Sequence, residues 1–320
     1  MAVSPDTALE WYEALLLGPI PRSTTSQDQT RIEDDMAEEK IAILVDSCSD
    51  VPKDYREKYG MYVVPLMIIY KNAQYRDGID IQPEQVYARF SEEVPSTSLP
   101  SPATVAEVFK QIKADGYNKV IAIAISSGLS GTFDLISSFG PNPEGLDAFY
   151  VDTKNIGIGS GFTAIRAGEL IASGLSFDEV CREAEKAAKQ TALFFCVSTL
   201  EYLVKGGRIG LVAGVVGSLL NLKPVISCNE EGVYHTVAKA RGRQKSLKLA
   251  LGKAVEFAAG AREYNITVMH GNAKEEADAL LAELKAQLSK YRISIEGQIT
   301  PALVVHTGPG LIGIGIHRLA

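Results

Sequence analysis

The chain has 320 residues, a formal net charge of −7, 46% hydrophobic residues and 22% charged ones. That length accommodates two domains of ordinary size, and the composition is that of a globular fold. The acidic balance excludes nucleic-acid binding through a broad basic field. Four scattered cysteines (Cys48, Cys181, Cys196, Cys228) contain no C-x-x-C pair, a pattern of reduced thiols. Four histidines (His235, His270, His306, His317) show no metal-ligand spacing, so no metal site is expected. No apolar run reaches the ~20 residues of a membrane helix. The first residues lack a basic segment followed by an apolar core, and a cytoplasmic location is expected.

In chain order, residues 1–38 read as an N-terminal extension. It has one short amphipathic segment around Trp11 and Leu15, then a polar linker from Ser23 to Thr30. Strand and helix then alternate. Strands are expected at Ile41–Val45, at Tyr62–Tyr70 with Pro65 marking an edge or bulge, at Val120–Ile125 and at Ala148–Val151. Helices are expected at Pro83–Phe90, at Pro102–Ala114, from about Gly131, and at Phe162–Ser173. In the second half, Leu193–Val197 and Pro224–Ser227 read as strands, the latter turning through Glu230, Glu231 and Gly232 into an antiparallel partner at Val233–Val237. Helices at Gln244–Ala259 and Glu275–Lys290 flank a strand at Ile266–Met269, and Ala302–Val305 and Leu311–Ile316 are expected to close the chain as strands. This pattern predicts an α/β fold of two domains with the ligand between them. A mainly parallel sheet flanked by helices fills residues 39–190, and a smaller mixed-sheet α/β domain fills 191–320.

Polar signatures follow the apolar runs. Ser126-Ser127-Gly128-Leu129-Ser130-Gly131-Thr132 joins a buried strand to a helix start, where hydroxyls, close backbone approach and free N–H groups suit a small anion. Capping alone accounts for one hydroxyl, not four. Thr97-Ser98-Leu99-Pro100-Ser101 precedes a helix, with Ser101 as a natural N-cap. Gly157, Gly159 and Gly161 have neither dinucleotide nor Walker spacing, so close helix packing is the better account. Asp46 and Asp50 resemble a catalytic carboxylate pair, although satisfying backbone donors is the favoured role. Lys205-Gly206-Gly207-Arg208 places two cations at a glycine turn, either compensating a helix end or forming a basic patch with Arg241 and Arg243. Arg208 is expected to project to solvent near the cleft mouth instead of lining the dry cavity. The Ile209–Leu222 stretch is apolar on all sides and compatible with a slot for an apolar tail. His306 is expected at a strand tip.

From Ile41 to the C-terminus, about 280 of 320 residues, the chain resembles the DegV family, the fatty-acid-binding subunits of bacterial fatty acid kinase. The resemblance rests on Val45-Asp46-Ser47, Val64-Pro65-Leu66, Tyr75-Arg76-Asp77-Gly78, the Thr97 and Ser126 signatures, Asp152, Lys205-Gly206-Gly207-Arg208-Ile209, Leu222-Lys223-Pro224 and His306-Thr307-Gly308-Pro309-Gly310. It implies a two-domain protein that is not itself an enzyme, has no cofactor and holds one long-chain fatty acid. The carboxylate would be held by Thr97, with Ser98 beside it, and by Ser130 with the Gly131 N–H, with His306 nearby. A separate kinase subunit would phosphorylate that carboxylate with ATP, and Arg208 and Arg241 would meet the kinase or the phosphate. Leu99 and Cys48 depart from the family pattern, and neither is a proposed carboxylate ligand. Two alternatives stay open: a phosphotransfer or small-molecule-kinase-like protein using His306, and a lipid carrier with no kinase partner. Transient contact with a membrane surface also stays open.

Overall fold

The computed structural model describes residues 39–215 and 222–319. The expected extension at 1–38 lies outside the described residues, as does part of the Ile209–Leu222 stretch. From Glu39 the elements are β1 (Ile41–Asp46), α1 (Lys53–Lys58), β2 (Tyr62–Val64), β3 (Met67–Tyr70), β4 (Ala73–Arg76), α2 (Pro83–Arg89), β5 (Ser96–Ser98), α3 (Pro102–Ala114), β6 (Lys119–Ala124), α4 (Thr132–Ser137) and β7 (Asp147–Asp152). They continue with α5 (Ile158–Ala172), α6 (Phe177–Lys189), β8 (Thr191–Cys196), α7 (Glu201–Lys205), β9 (Leu222–Cys228) and β10 (Tyr234–Arg241). Then come α8 (Arg243–Ala258), β11 (Tyr264–His270), α9 (Lys274–Gln287), β12 (Tyr291–Gln298), α10 (Pro301–Thr307) and β13 (Ile312–Arg318).

β1 and β6 are apolar throughout because helices cover both faces of their sheet. Ile41, Ile43 and Val45 join the core that contains Phe162 and Ile165 of α5, while Ala42 and Leu44 join Phe109 and Ile112 of α3. The sheet is parallel, in the order β2-β1-β6-β7. The second sheet is mixed, in the order β10-β9-β8-β13-β11-β12, with only β11 and β12 pairing in parallel. Side chains of both sheets, among them Ile123, Val151, Phe195 and Ile226, meet in one continuous core.

The structure departs from the sequence expectations at several points. The run from Tyr62 to Tyr70 breaks at Pro65 into two strands of different sheets. Past the break, the Leu66 N–H donates to Ser47 Oγ (3.0 Å), and β3 pairs with β4 and β5 in a small antiparallel sheet. Helix α6 and strand β12 have no counterpart in the sequence reading. The most consequential difference is α10. Ala302–Val305 is helical, not a strand, and His306 lies in the last turn of that helix. A short all-apolar run does not separate the two states by periodicity. Here Pro301 occupies the first helical turn, and two carboxylates take up N–H groups at the helix start. Asp50 Oδ1 accepts from Thr300 N (3.0 Å) and Asp77 Oδ1 from Ala302 N (2.9 Å).

The expected hairpin is present, and its tip does more than reverse the chain. Ser126 Oγ donates to Gly232 O (2.8 Å), and a Cβ on Gly128 would lie 2.8 Å from Glu231 O. The β9–β10 turn therefore rests directly on the loop after β6. Gly232 has φ +76°, and a Cβ there would overlap Ser126. Gly232→Val is expected to destabilise the fold by about 2 kcal/mol, combining left-handed strain with that overlap. Urea denaturation checks this, and an unchanged midpoint would mean that the turn does not press on the loop.

Candidate functional site

The carboxyl ends of β1 and β6 lie side by side, and the sheet extends from β1 to β2 on one flank and from β6 to β7 on the other. Open α/β sheets place ligands in the crevice at such a reversal. The four hydroxyls of the loop after β6 divide into two pairs. Ser126 binds the hairpin tip, and Ser127 accepts from Lys154 Nζ (2.8 Å). Ser130 Oγ and Thr132 Oγ1 pair with each other at 2.8 Å, and Ser130 lines a small cavity. Of the four, only Ser130 lines that cavity, with Thr132 buried behind it.

Thr97, on β5, also lines that cavity, and so do His306 and Arg208. Thr97 Oγ1 lies 2.7 Å from His306 Nε2, although the residues are 209 positions apart. His306 Nδ1 is buried and has no hydrogen-bond partner. Burial first, and the neighbouring Arg208 cation second, push the imidazole pKa down to about 4. His306 is therefore a neutral ring at pH 7. When its Nε2–H donates to Thr97 Oγ1, the threonine O–H is free to donate to an anion.

Arg208 does not project away to solvent as expected. The Gly206–Gly207 turn, with Gly207 at φ +69°, folds the side chain back. Its Nε donates to Leu129 O (3.2 Å) and its Nη1 to Gly206 O (2.8 Å). Gly206 sits against the His306 ring, where a Cβ would collide with Nδ1. Arg208 also lines a wider cleft of about 600 Å³ with Thr97, His306 and Lys205, which makes it part of the rim of the site.

A second cavity continues inward. It shares Ile156, Tyr234, Leu303 and Thr307 with the first and is walled beyond them by Phe195 and Met269. Each encloses about 30 Å³, room for one or two water-sized spheres. These walls come from loops and elements spread over the whole described chain, so no local motif announces them. Among the described residues of the Ile209–Leu222 stretch, none lines either cavity, and residues 216–221 of the expected tail slot lie outside the described residues.

Asp46, Asp50 and Asp77 lie buried beneath this region. The favoured structural role is observed, but their partners are distant in sequence. Asp46 Oδ2 accepts from Ile125 N (2.7 Å), and Asp77 Oδ2 accepts from Ser47 Oγ (2.6 Å). Burial raises the Asp46 carboxyl to about 7 and Asp77 to about 6, and holds Asp50 well above the ordinary range. The glycines at 157–161 pack closely, as expected, with a Cβ on Gly161 falling 2.5 Å from Ser49 O. Ser98 is exposed, with its hydroxyl on Leu99 O (3.1 Å). Gly131 lies under Leu99, and Arg241 is exposed at the end of β10. Among the described residues, no cluster of His, Cys, Asp or Glu suits a metal ion, and no helix is long and apolar enough to cross a membrane. All four cysteines are free thiols.

The family model described as "Uncharacterised protein, DegV family" matches residues 40–319. The chain belongs to the DegV family. A DegV domain-containing protein of Clostridium acetobutylicum is 41% identical over 280 residues, covering 88% of this chain and 99% of that protein. A Thermus thermophilus structure described as showing fatty acid binding of a DegV family protein superposes with a TM-score of 0.81 at 32% identity, covering 88% of this chain and all of that one. A stearic-acid-binding protein of Eubacterium ventriosum superposes with a TM-score of 0.78 at 28% identity, covering 87% of this chain and 98% of its own. The α/β architecture of this chain is that of these DegV proteins.

The buried acids give a signed pH dependence. Folded Asp46 and Asp77 retain protons that the unfolded chain releases near pH 4, so their contribution to stability falls as pH rises from about 4 to 7. His306, with its lowered pKa, acts in the opposite direction between about 4 and 6.5. Asp46→Asn removes only the Asp46 share of the first effect. Relative to wild type, the variant is expected to gain stability on going from pH 5.5 to 7.5. Urea midpoints at the two pH values measure this, and parallel behaviour would show that Asp46 is ionised in the fold.

Proposed function

We propose that this DegV protein binds one long-chain fatty acid and presents its carboxylate to a separate ATP-dependent kinase subunit for acyl-phosphate formation. The observation that carries this is the coupling of two adjoining cavities. One has hydroxyl donors, a neutral imidazole and a rim arginine; the other is almost wholly apolar, and they share four wall residues. Such a shape fits an amphiphile with a single anionic end. The relatives described as fatty-acid-binding support the same ligand class for this chain.

Thr97 and Ser130 are the proposed hydroxyl donors to the carboxylate, with Ser98, the Gly131 N–H and His306 completing the surroundings. Burying ~15 methylenes at ~0.8 kcal/mol each provides ample affinity before the costs of association. A carboxylate held by neutral donors stays available as a nucleophile, and no nucleotide loop is recognisable in the chain. Catalysis is accordingly assigned to the partner. Arg208 and the exposed Arg241 are proposed to meet that partner or the transferred phosphate. The cavities must widen to admit a chain, and their shared walls Tyr234 and Leu303 are the side chains that must part. We further propose a domain boundary near residue 190, with the acyl chain lying between the two halves.

Protein purified under native conditions is expected to yield one fatty acid of about 14 to 18 carbons on organic extraction, a length suited to an enclosed apolar site. Mass spectrometry reads this. Protein without lipid that also refuses added palmitate and oleate would end the proposal.

The combined Thr97→Val and Ser130→Ala variant should fold normally and bind palmitate at least 10-fold more weakly, since each hydroxyl to a charged acceptor contributes roughly 1.5–3 kcal/mol. Wild-type affinity in a displacement titration would remove both residues from the head-group site. Arg208→Lys keeps the charge but loses the planar fork. With a cognate kinase and ATP it is expected to form acyl phosphate several-fold more slowly while keeping its lipid, and full turnover would leave Arg208 outside the transfer step.

A further inference from the structure

The apolar cavity contains one polar group that a plain hydrocarbon tail does not explain. Asp50 lines it together with Gly157, Leu303 and Phe195. The side chain is only 7% exposed. Its Oδ1 is used by Thr300 N, but Oδ2 is buried with no hydrogen-bond partner. The Thr300 hydroxyl lies near the same carboxyl and is also unpartnered in hydrogen-bond geometry. An unmet buried polar atom destabilises a fold, so one that is kept facing a cavity is a candidate partner for a ligand group.

Two further features keep this oxygen accessible from the cavity. Gly157 has φ +57°, and a Cβ there would stand 3.2 Å from Asp50 Oδ2, so a side chain at 157 would cover the oxygen. Asp50 itself adopts a left-handed backbone at φ 48°, which places its side chain under α10. The head-group residues Thr97, Ser130, Arg208 and His306 do not line this inner cavity. An oxygen that met Asp50 would therefore lie along the chain of a bound acid and not at its carboxylate.

We propose that the preferred ligand is a fatty acid bearing an oxygen partway along its chain, as a hydroxyl or an oxo group, with Asp50 Oδ2 as its hydrogen-bond partner. The proposal rests on the fatty-acid reading above and narrows its substrate class. Burial holds the Asp50 carboxyl well above the ordinary carboxylate range, and in its protonated form Oδ2–H donates to the ligand oxygen while Oδ1 keeps its bond to α10. The pairing satisfies Oδ2 without placing a charge in the cavity. A hydroxyl elsewhere on the chain meets only apolar walls and is penalised.

The test compares stearic acid with a series of stearic acids hydroxylated at successive carbons, each titrated against the full-length protein by displacement of a fluorescent fatty acid. At least one isomer is expected to bind about 10-fold more tightly than stearate, with its neighbours in the series weaker. In Gly157→Ala, whose methyl would cover Asp50 Oδ2 while Oδ1 keeps its bond to Thr300 N, that isomer should lose its advantage over stearate. The wild-type series decides the matter even where that variant fails to fold. Stearate bound tightly, with every hydroxylated isomer weaker, would overturn the assignment of Asp50 and leave the fatty-acid function standing. Failure of stearate and of every isomer to bind would overturn both.

Discussion

Two buried carboxylates hold the start of a seven-residue helix, and the candidate site depends on that attachment. A helix of two turns does not persist by itself in water. Asp50, from the turn after β1, and Asp77, from the turn after β4, take up N–H groups at its first turn. Packing of Pro301–Val305 against the surrounding core completes its support. The far end then delivers His306 to Thr97, closing a contact across 209 residues. Without the carboxylates the apolar segment would have no reason to stop sliding over the core.

This arrangement has an electrostatic cost. Three carboxyl groups share a region that excludes water, and burial holds all three above the ordinary carboxylate range. His306 is neutral for the complementary reason: desolvation and the Arg208 cation both oppose a second positive charge. The result is a small cavity whose charged lining residue is Arg208, beside neutral hydroxyls, opening to a wider cleft that also carries Glu92, Glu93 and Lys205. The inner cavity is almost wholly apolar, and at about 30 Å³ it would have to widen to admit anything larger than one or two waters.

Much of the framework was legible along the chain. The five- and six-residue apolar runs identified β1 and β6 because strands covered on both faces leave no polar alternation. Pro102 after Ser101 marked the start of α3, where Ser101 Oγ does accept from Thr104 N (3.0 Å). The turn at Gly232 announced the hairpin. The misread elements share one cause. Ala302–Val305 is too short and too uniformly apolar for any period to show, and Pro65 hid a change of sheet inside what looked like one strand. The direction of Arg208 depended on the positive φ of Gly207 and on the Leu129 carbonyl that receives its Nε–H, neither of which is a property of the local residue types.

By itself, the sequence determined the α/β class, a mainly parallel and a mixed sheet, the DegV resemblance and several polar residues of the candidate site, because short-range patterning and turn chemistry are local. The tertiary structure alone decided which of those polar residues meet. It separated Ser130 from Ser126 and Ser127, turned Arg208 inward, and revealed Asp50 and Asp77 as the anchors of α10. Hydrogen bonds between segments tens to hundreds of residues apart are fixed by packing geometry, and packing geometry is a property of the whole chain.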